Sequence, residues 1–219
     1  MEITKEIFQV AGPGLTTAED AASYLIKLGT AAALVDAGSG DAISTMVANI
    51  KKCGVDPTHI VYLFLTHCHY DHTGGAAALK KLLPLKIVAQ ALEAPYLEKG
   101  DHEVTAASWY GARIKPVTID LQWPGPGQTF QIGDRLLVGY HTPGHSPGSA
   151  VYVMESEDLK VLFGQDVHGP LHPSLLSNRE DYRRSLQLLL DLEADILCEG
   201  HYGVYRGKKE VAAFIRQFL

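Results

Sequence analysis

Residues 66–75 read Thr-His-Cys-His-Tyr-Asp-His-Thr-Gly-Gly, and this run limits the possible architectures of the chain more than any other. His67, His69, His72 and Asp71 fall within six residues, directly behind the apolar run Ile-Val-Tyr-Leu-Phe-Leu at 60–65. That run is β-branched and aromatic and reads as a buried strand, so the cluster sits where a strand gives way to a loop. Residues two apart in extended chain point the same way, so His67 and His69 can share one ion. Asp71 and His72 follow a bend and can face a second. Imidazole and carboxylate are the usual ligands of zinc-like metals. Single histidines at strand ends are mostly partly exposed polar residues. An H-x-H-x-D-H run with Gly-Gly behind it is hard to obtain that way. The same alternation turns Cys68 and Tyr70 to the other side, as packing residues.

The rest of the chain repeats the strand-then-loop pattern. Residues 3–10 read as a strand, 23–27 and 31–35 as a hairpin that runs into Asp36, and 41–52 as a helix with apolar positions at helical spacing. Beyond the metal loop, 76–83 read as a short helix, 85–89 as a strand and 91–110 as partly helical. Residues 122–127 read as a loop, and 128–132 with 135–140 as a hairpin. Strands follow at 150–154 and 159–164, joined by an acidic turn at 155–158. A leucine-faced helix at 179–192, a short strand at 196–198 and a helix at 207–218 complete the chain. Strands followed by helix in two blocks suit two sheets packed face to face with helices outside. No repeat or interdomain linker stands out, so 1–219 is expected to be one domain.

At three more strand ends a metal-competent side chain appears: His145 in Thr-Pro-Gly-His-Ser-Pro-Gly-Ser, Asp166 in Phe-Gly-Gln-Asp, and His201 in Glu-Gly-His. Loops at strand ends are where a rigid sheet can hold a site. Together with the first cluster these make five histidines and two carboxylates, enough for two ions. His59, His102 and His141 read as structural or exposed. His168 and His172 follow Asp166 closely enough to line a pocket.

The H-x-H-x-D-H motif, reinforced in order by T-P-G-H-S-P-G-S, F-G-Q-D and E-G-H, resembles the metallo-β-lactamase superfamily over essentially the whole chain. The resemblance implies an α/β fold, a four-layer αββα sandwich of two mixed sheets flanked by helices. It also implies that His67, His69 and His145 bind one metal, that Asp71, His72 and His201 bind a second, and that Asp166 bridges the two. A carboxylate with two oxygens suits ions held about 3.5–4 Å apart. Asp36 matches the family's acidic residue at a strand end near the site, where it would orient a ligand. Asp71 and Asp166 are the carboxylates expected to take part in catalysis. The expected cofactors are two divalent ions, zinc first, with iron or manganese as alternatives.

A dinuclear site supplies hydroxide at neutral pH and polarises a carbonyl or phosphoryl oxygen. The expected reaction is hydrolysis of an ester-like bond. A thiolate, of ordinary pKa about 8.5, leaves without an acid, so a glyoxalase II-like thioester hydrolysis asks least of the residues in view. Lactone and phosphodiester hydrolysis stay in the same class. For an alkoxide, Tyr202, Tyr205 and His168 are the candidate proton donors. The rival is a persulfide dioxygenase-like oxidoreductase with a single iron held by two histidines and an aspartate.

The resemblance also narrows the branch. Asp166 stands where several β-lactamases carry Cys, and His69 where flavodiiron proteins carry Glu. There is no room for the inserted domain of the RNA-processing members. The chain also stops about one helix after His201, short of the basic helical region of glutathione-specific glyoxalases. A net charge of −6 argues against nucleic acid as partner. Three cysteines without framework spacing, no signal-like N-terminus and no membrane-length apolar run lead to the expectation of a cytoplasmic enzyme. Its partner would be a small-molecule substrate, with no membrane, and a homodimer is compatible with the sequence.

Overall fold

The computed structural model describes residues 1–219. The first half builds β1 (Ile7–Ala11), β2 (Ser23–Leu28), β3 (Ala31–Val35), α1 (Ile43–Lys52), β4 (Ile60–Phe64), α2 (Tyr70–Thr73), α3 (Ala76–Leu82), β5 (Lys86–Gln90), α4 (Ala94–Lys99) and β6 (Leu121–Trp123). The second half builds β7 (Gly127–Ile132), β8 (Arg135–His141), β9 (Ala150–Ser156), β10 (Leu159–Gln165), α5 (Arg179–Asp191), β11 (Ile196–Glu199), β12 (Val204–Arg206) and α6 (Lys208–Arg216). One mixed sheet runs β1-β2-β3-β4-β5-β6 and the other β12-β11-β10-β9-β8-β7. In the first, β3, β4, β5 and β6 are mutually parallel; in the second, the parallel pair is β10 with β11.

Period-two alternation explains the four layers. In β3, Ala33 and Val35 face the space between the sheets, while Ala32 and Leu34 face the helices. In β4, Tyr62 and Phe64 go inward and Leu63 outward, while Ile60 departs from the alternation and faces outward where the pairing register with β3 shifts. In β9, Tyr152 and Met154 meet the opposite sheet, and Val151 and Val153 meet α5 and α6. Strands apolar on both faces require helices on the outside, which yields an αββα sandwich. The central layer is aromatic: Phe64 packs against Phe130 and Tyr152 at ring separations of 5.1 and 5.2 Å.

Two element readings are corrected. Residues 122 and 123, read as part of a loop at 122–127, belong with Leu121 to the edge strand β6, whose pairing with β5 comes from backbone bonds that its mostly exposed side chains do not announce. Residues 204–206 form β12, again a three-residue edge strand, antiparallel to β11. The first strand begins at Ile7, because Thr4 turns the chain by accepting from the Glu6 and Ile7 amides. The acidic turn is tighter than read, with Glu157 and Asp158 both at positive φ (52° and 61°). That is the two-residue turn that suits strand twist. No helix is long and apolar enough to cross a membrane.

Candidate metal centre

The carboxyl ends of the parallel strands β3, β4, β10 and β11 lie at one edge, and each delivers a side chain there. β4 leads into His67 and His69, and α2 presents Asp71 and His72 one turn on. The loop between β8 and β9 brings His145, β10 ends at Asp166, and β11 ends at His201. Backbone bonds tie these loops together: Ala37 N donates to His72 O at 2.7 Å, Ala22 N to Gly200 O at 2.7 Å, and Ala150 N to Thr66 O at 2.7 Å. The Gly-Gly behind the motif is required by close approach. A Cβ on Gly74 would stand 2.1 Å from Ser39 O, and one on Gly75 2.2 Å from Ala37 O.

The donor atoms converge in two groups around Asp166. His67, His69, His145 and Asp166 form one set whose ligand-type atoms all lie within 4.8 Å of one another; Asp71, His72 and His201 form another. Oδ2 of Asp166 faces the first set, 3.3 Å from His145 Nε2 and 3.8 Å from His67 Nε2. Oδ1 faces the second, 2.9 Å from His72 Nε2 and 3.3 Å from His201 Nε2. Asp71 Oδ2 lies 3.1 Å from His201 Nε2. The Nε2 atoms of His67, His69 and His145 are buried and make no hydrogen bond. Buried polar atoms without partners are costly and rare, and three aimed at one point fit a cation.

The opposite ring nitrogens are engaged. His72 Nδ1 lies 2.7 Å from Asp36 Oδ2, His67 Nδ1 3.0 Å from Thr66 Oγ1, and His145 Nδ1 2.9 Å from Pro170 O. Such contacts fix the tautomer and leave Nε2 as the lone-pair donor. Asp36 also accepts from Thr66 N and Oγ1 at 2.9 and 2.8 Å, so one carboxylate orients both the loop and the ring.

The electrostatics differ on the two sides. Burial, helped by neighbouring histidines, holds His67 well below the ordinary imidazole value and His69 down at about 3. Both rings are neutral lone-pair donors. Burial alone would also depress His72, but Asp166, Asp71 and Asp36 outweigh it and raise it well above normal. His201 is likewise lifted against burial to about 10 by Asp166 and Asp71. Burial opposes ionisation of Asp166, yet the His72 charge, then His145 and His201, keep it well below the usual carboxylate range. The acidic side therefore attracts positive charge, supplied by protons when no ion is bound; an ion there would displace them.

A cleft of about 220 Å³ opens over the donors, lined by His69, Asp71, Asp166 and His201 with Trp109, Tyr110, Pro170, Leu175 and His168. His168 thus reaches the cleft, and Tyr202 packs its ring 4.8 Å from His168 at the rim. His172 stands outside, with Trp109 edge-on at 5.3 Å. Tyr205 is placed elsewhere: in β12 it stacks on Phe214 at 4.2 Å and does not line the cleft. Cys68 and Tyr70 lie in the outer core, His141 bonds Pro147 O, and His59 closes an exposed turn.

Several contributors were not read from the sequence. Burial and the adjacent Asp71 charge push the Tyr110 phenol upward. Glu199 is fully buried; it accepts the His201 and Tyr202 amides at 2.7 and 2.8 Å and holds His168 Nδ1 at 2.9 Å. Its place in Glu-Gly-His was a usable signal. Glu93, also buried, accepts from Cys68 N, Ser146 Oγ and Gly148 N and so joins the first histidine loop to the His145 loop. Nothing around it in sequence marks it.

Comparison with known proteins bears on the family and the fold. The family model described as "Metallo-beta-lactamase superfamily" matches residues 16–201. An atrochrysone carboxyl ACP thioesterase from Passalora fulva is 26% identical over 211 residues, 93% of this chain and 55% of that protein. The acyl-coenzyme A thioesterase MBLAC2 from Gallus gallus is 30% identical over 165 residues, 66% of this chain and 57% of that protein. The chain spans about half the length of the curated relatives it matches. Among solved structures, the subclass B3 metallo-beta-lactamase BJP-1 of Bradyrhizobium japonicum superposes with a TM-score of 0.81 at 24% identity, covering 100% of this chain and 89% of that one.

Proposed function

The chain belongs to the metallo-beta-lactamase superfamily, and from that premise we propose that it is a metal-dependent hydrolase of an ester-like bond, a thioester first and a lactone second. The observation that carries the reading is the convergence of buried, unpartnered Nε2 atoms of His67, His69 and His145 on the Asp166 carboxylate. In this reading those residues would hold one ion and Asp71, His72 and His201 a second, with Asp166 available to both. Divalent ions in such a set, zinc by the character of the donors, lower the pKa of water toward neutrality and polarise a carbonyl.

The side chains do the rest. Asp36 and Thr66 keep His72 and His67 oriented. Asp71 and Asp166 both line the cleft; Asp166 would be committed to the ions through both oxygens, and the oxygen of Asp71 left uncommitted would accept a proton from an attacking water. Trp109, Pro170 and Leu175 give the cleft apolar walls that suit an acyl group and exclude bulk water. Tyr110, with its pKa raised, keeps its proton throughout the physiological range and serves as a hydrogen-bond donor to developing charge. A thiolate leaving group, of ordinary pKa about 8.5, needs no proton donor from the cleft. Two of the relatives bear the name thioesterase, which supports the same choice.

The test is elemental analysis of purified protein with a hydrolysis screen over thioesters, lactones and phosphodiesters. Two equivalents of metal with thioester turnover is the expected result. A single iron with oxygen consumption on a persulfide would replace the reading with the oxidoreductase alternative. Metal-free protein that stays inert after zinc is supplied would overturn it.

A further inference from the structure

Beside the cleft lies a second, open cavity of about 270 Å³, whose lining brings His168 and Tyr182 together with the exposed arginines Arg179 and Arg183 and with Leu219, the last residue of the chain. His168 lines both cavities, held between them by Glu199 at 2.9 Å. The two arginines stand one helical turn apart on α5, on the same face. Arg184, next in sequence, is occupied by Asp181, whereas neither Arg179 nor Arg183 has an ion-pair partner or side-chain hydrogen bond. The N-terminus of α5 is already satisfied, Asn178 accepting from Glu180 N and Asp181 N, so the cationic character of this cavity comes from the guanidinium groups. In a chain of net charge −6, two unpaired arginines at one cavity concentrate positive potential beside an acidic cleft.

We propose that Arg179 and Arg183 form an oxyanion-recognition subsite for the thiol part of the substrate, so that the enzyme acts on thioesters of an anionic thiol. This rests on the thioesterase reading above. The acyl group occupies the apolar cleft under Trp109, and the thiol part passes His168 into the arginine cavity. The guanidinium fork pairs with a phosphate or a carboxylate alike.

The experiment compares kcat/KM of wild type and of the Arg179→Ala/Arg183→Ala variant on three acetyl thioesters. Coenzyme A carries phosphates, glutathione carries carboxylates, and N-acetylcysteamine carries no charge. The preference of wild type for an anionic ester over the neutral one is expected to fall roughly 100-fold in the variant, about tenfold per arginine, and mainly through KM. The ester that loses this preference identifies the anion. Arg→Lys at both positions should restore part of it, and added salt should erode it in wild type. An unchanged preference, or an equal loss on all three esters, would overturn the subsite. Wild type inactive on every thioester would instead refute the thioesterase reading and the subsite with it.

Discussion

Replacing Glu93 with Gln tests whether a carboxylate remote from the donors sets their spacing. Glu93 is 1% exposed and has no cationic partner; Oε1 accepts from Ser146 Oγ at 2.9 Å and Gly148 N at 2.5 Å, and Oε2 from Cys68 N at 2.6 Å. An amide of the same shape keeps one acceptor oxygen. With that oxygen toward Ser146 and Gly148, its NH2 meets the Cys68 N–H donor to donor. One charge-assisted bond is lost, about 1.5–3 kcal/mol, and a buried amide is left without an acceptor, about 1–3 kcal/mol. Relief of a desolvated charge offsets part of this, so about 3 kcal/mol is the expected net loss. For a chain of this size that lowers Tm by roughly 6–12 °C. The two loops it joins carry His67 and His69 on one side and His145 on the other, so zinc affinity should fall about 10- to 100-fold. Thermal melting and a chelator-competition titration measure the two effects. A Gln variant melting within a degree of wild type, with unchanged zinc affinity, would refute the bracing argument.

His69→Ala or Asp166→Ala should abolish hydrolysis and leave the far-UV circular dichroism unchanged, since each removes a donor at the edge of an intact sandwich; turnover in either variant would contradict the two-ion assignment. Gly200→Ala places a Cβ 2.6 Å from Asp166 Oδ1 and 2.9 Å from His72 Cε1, and should cost about 1–3 kcal/mol and at least tenfold in activity, read by melting and initial rates. Without metal, stability should be bounded on both sides of neutral pH. His201, raised to about 10, contributes fully below the ordinary imidazole value near 6.5 and loses that contribution as pH climbs through 10. His69, depressed to about 3, contributes above that ordinary value and loses its contribution as pH falls toward 3. Melting of chelator-treated protein from acid to alkaline pH checks both limbs, and zinc should flatten the alkaline one.

What was legible from sequence follows from how each kind of residue is constrained. The proposed ligands His67, His69, His145, Asp166 and His201 stand where strands end, at the junctions the apolar runs reveal. Buried strands such as β4 and β9 are equally legible, because both faces must be apolar. The edge strands β6 and β12 are not: three residues are too few to carry a periodicity, and their pairing is a property of the neighbour. Tyr205 shows the consequence, since a residue read as a candidate proton donor lies on β12 and stacks its ring on Phe214.

Of the bracing carboxylates, Asp36 was read through the family resemblance alone, and Glu93 was hidden for a different reason. Asp36 and Glu93 reach partners 30 and 25 residues away, and Glu93 a further set 53 and 55 away. An acceptor is all those positions require, and any loop passing nearby can supply one. Sequence spacing therefore identifies the atoms that would meet an ion far better than the atoms that keep them in place. The arginines on α5 belong to neither group: their charge is visible in sequence, but only the fold sets them against the cavity that His168 shares with the cleft. The proposed recognition of the leaving group, unlike the proposed metal chemistry, has to be read from the assembled molecule.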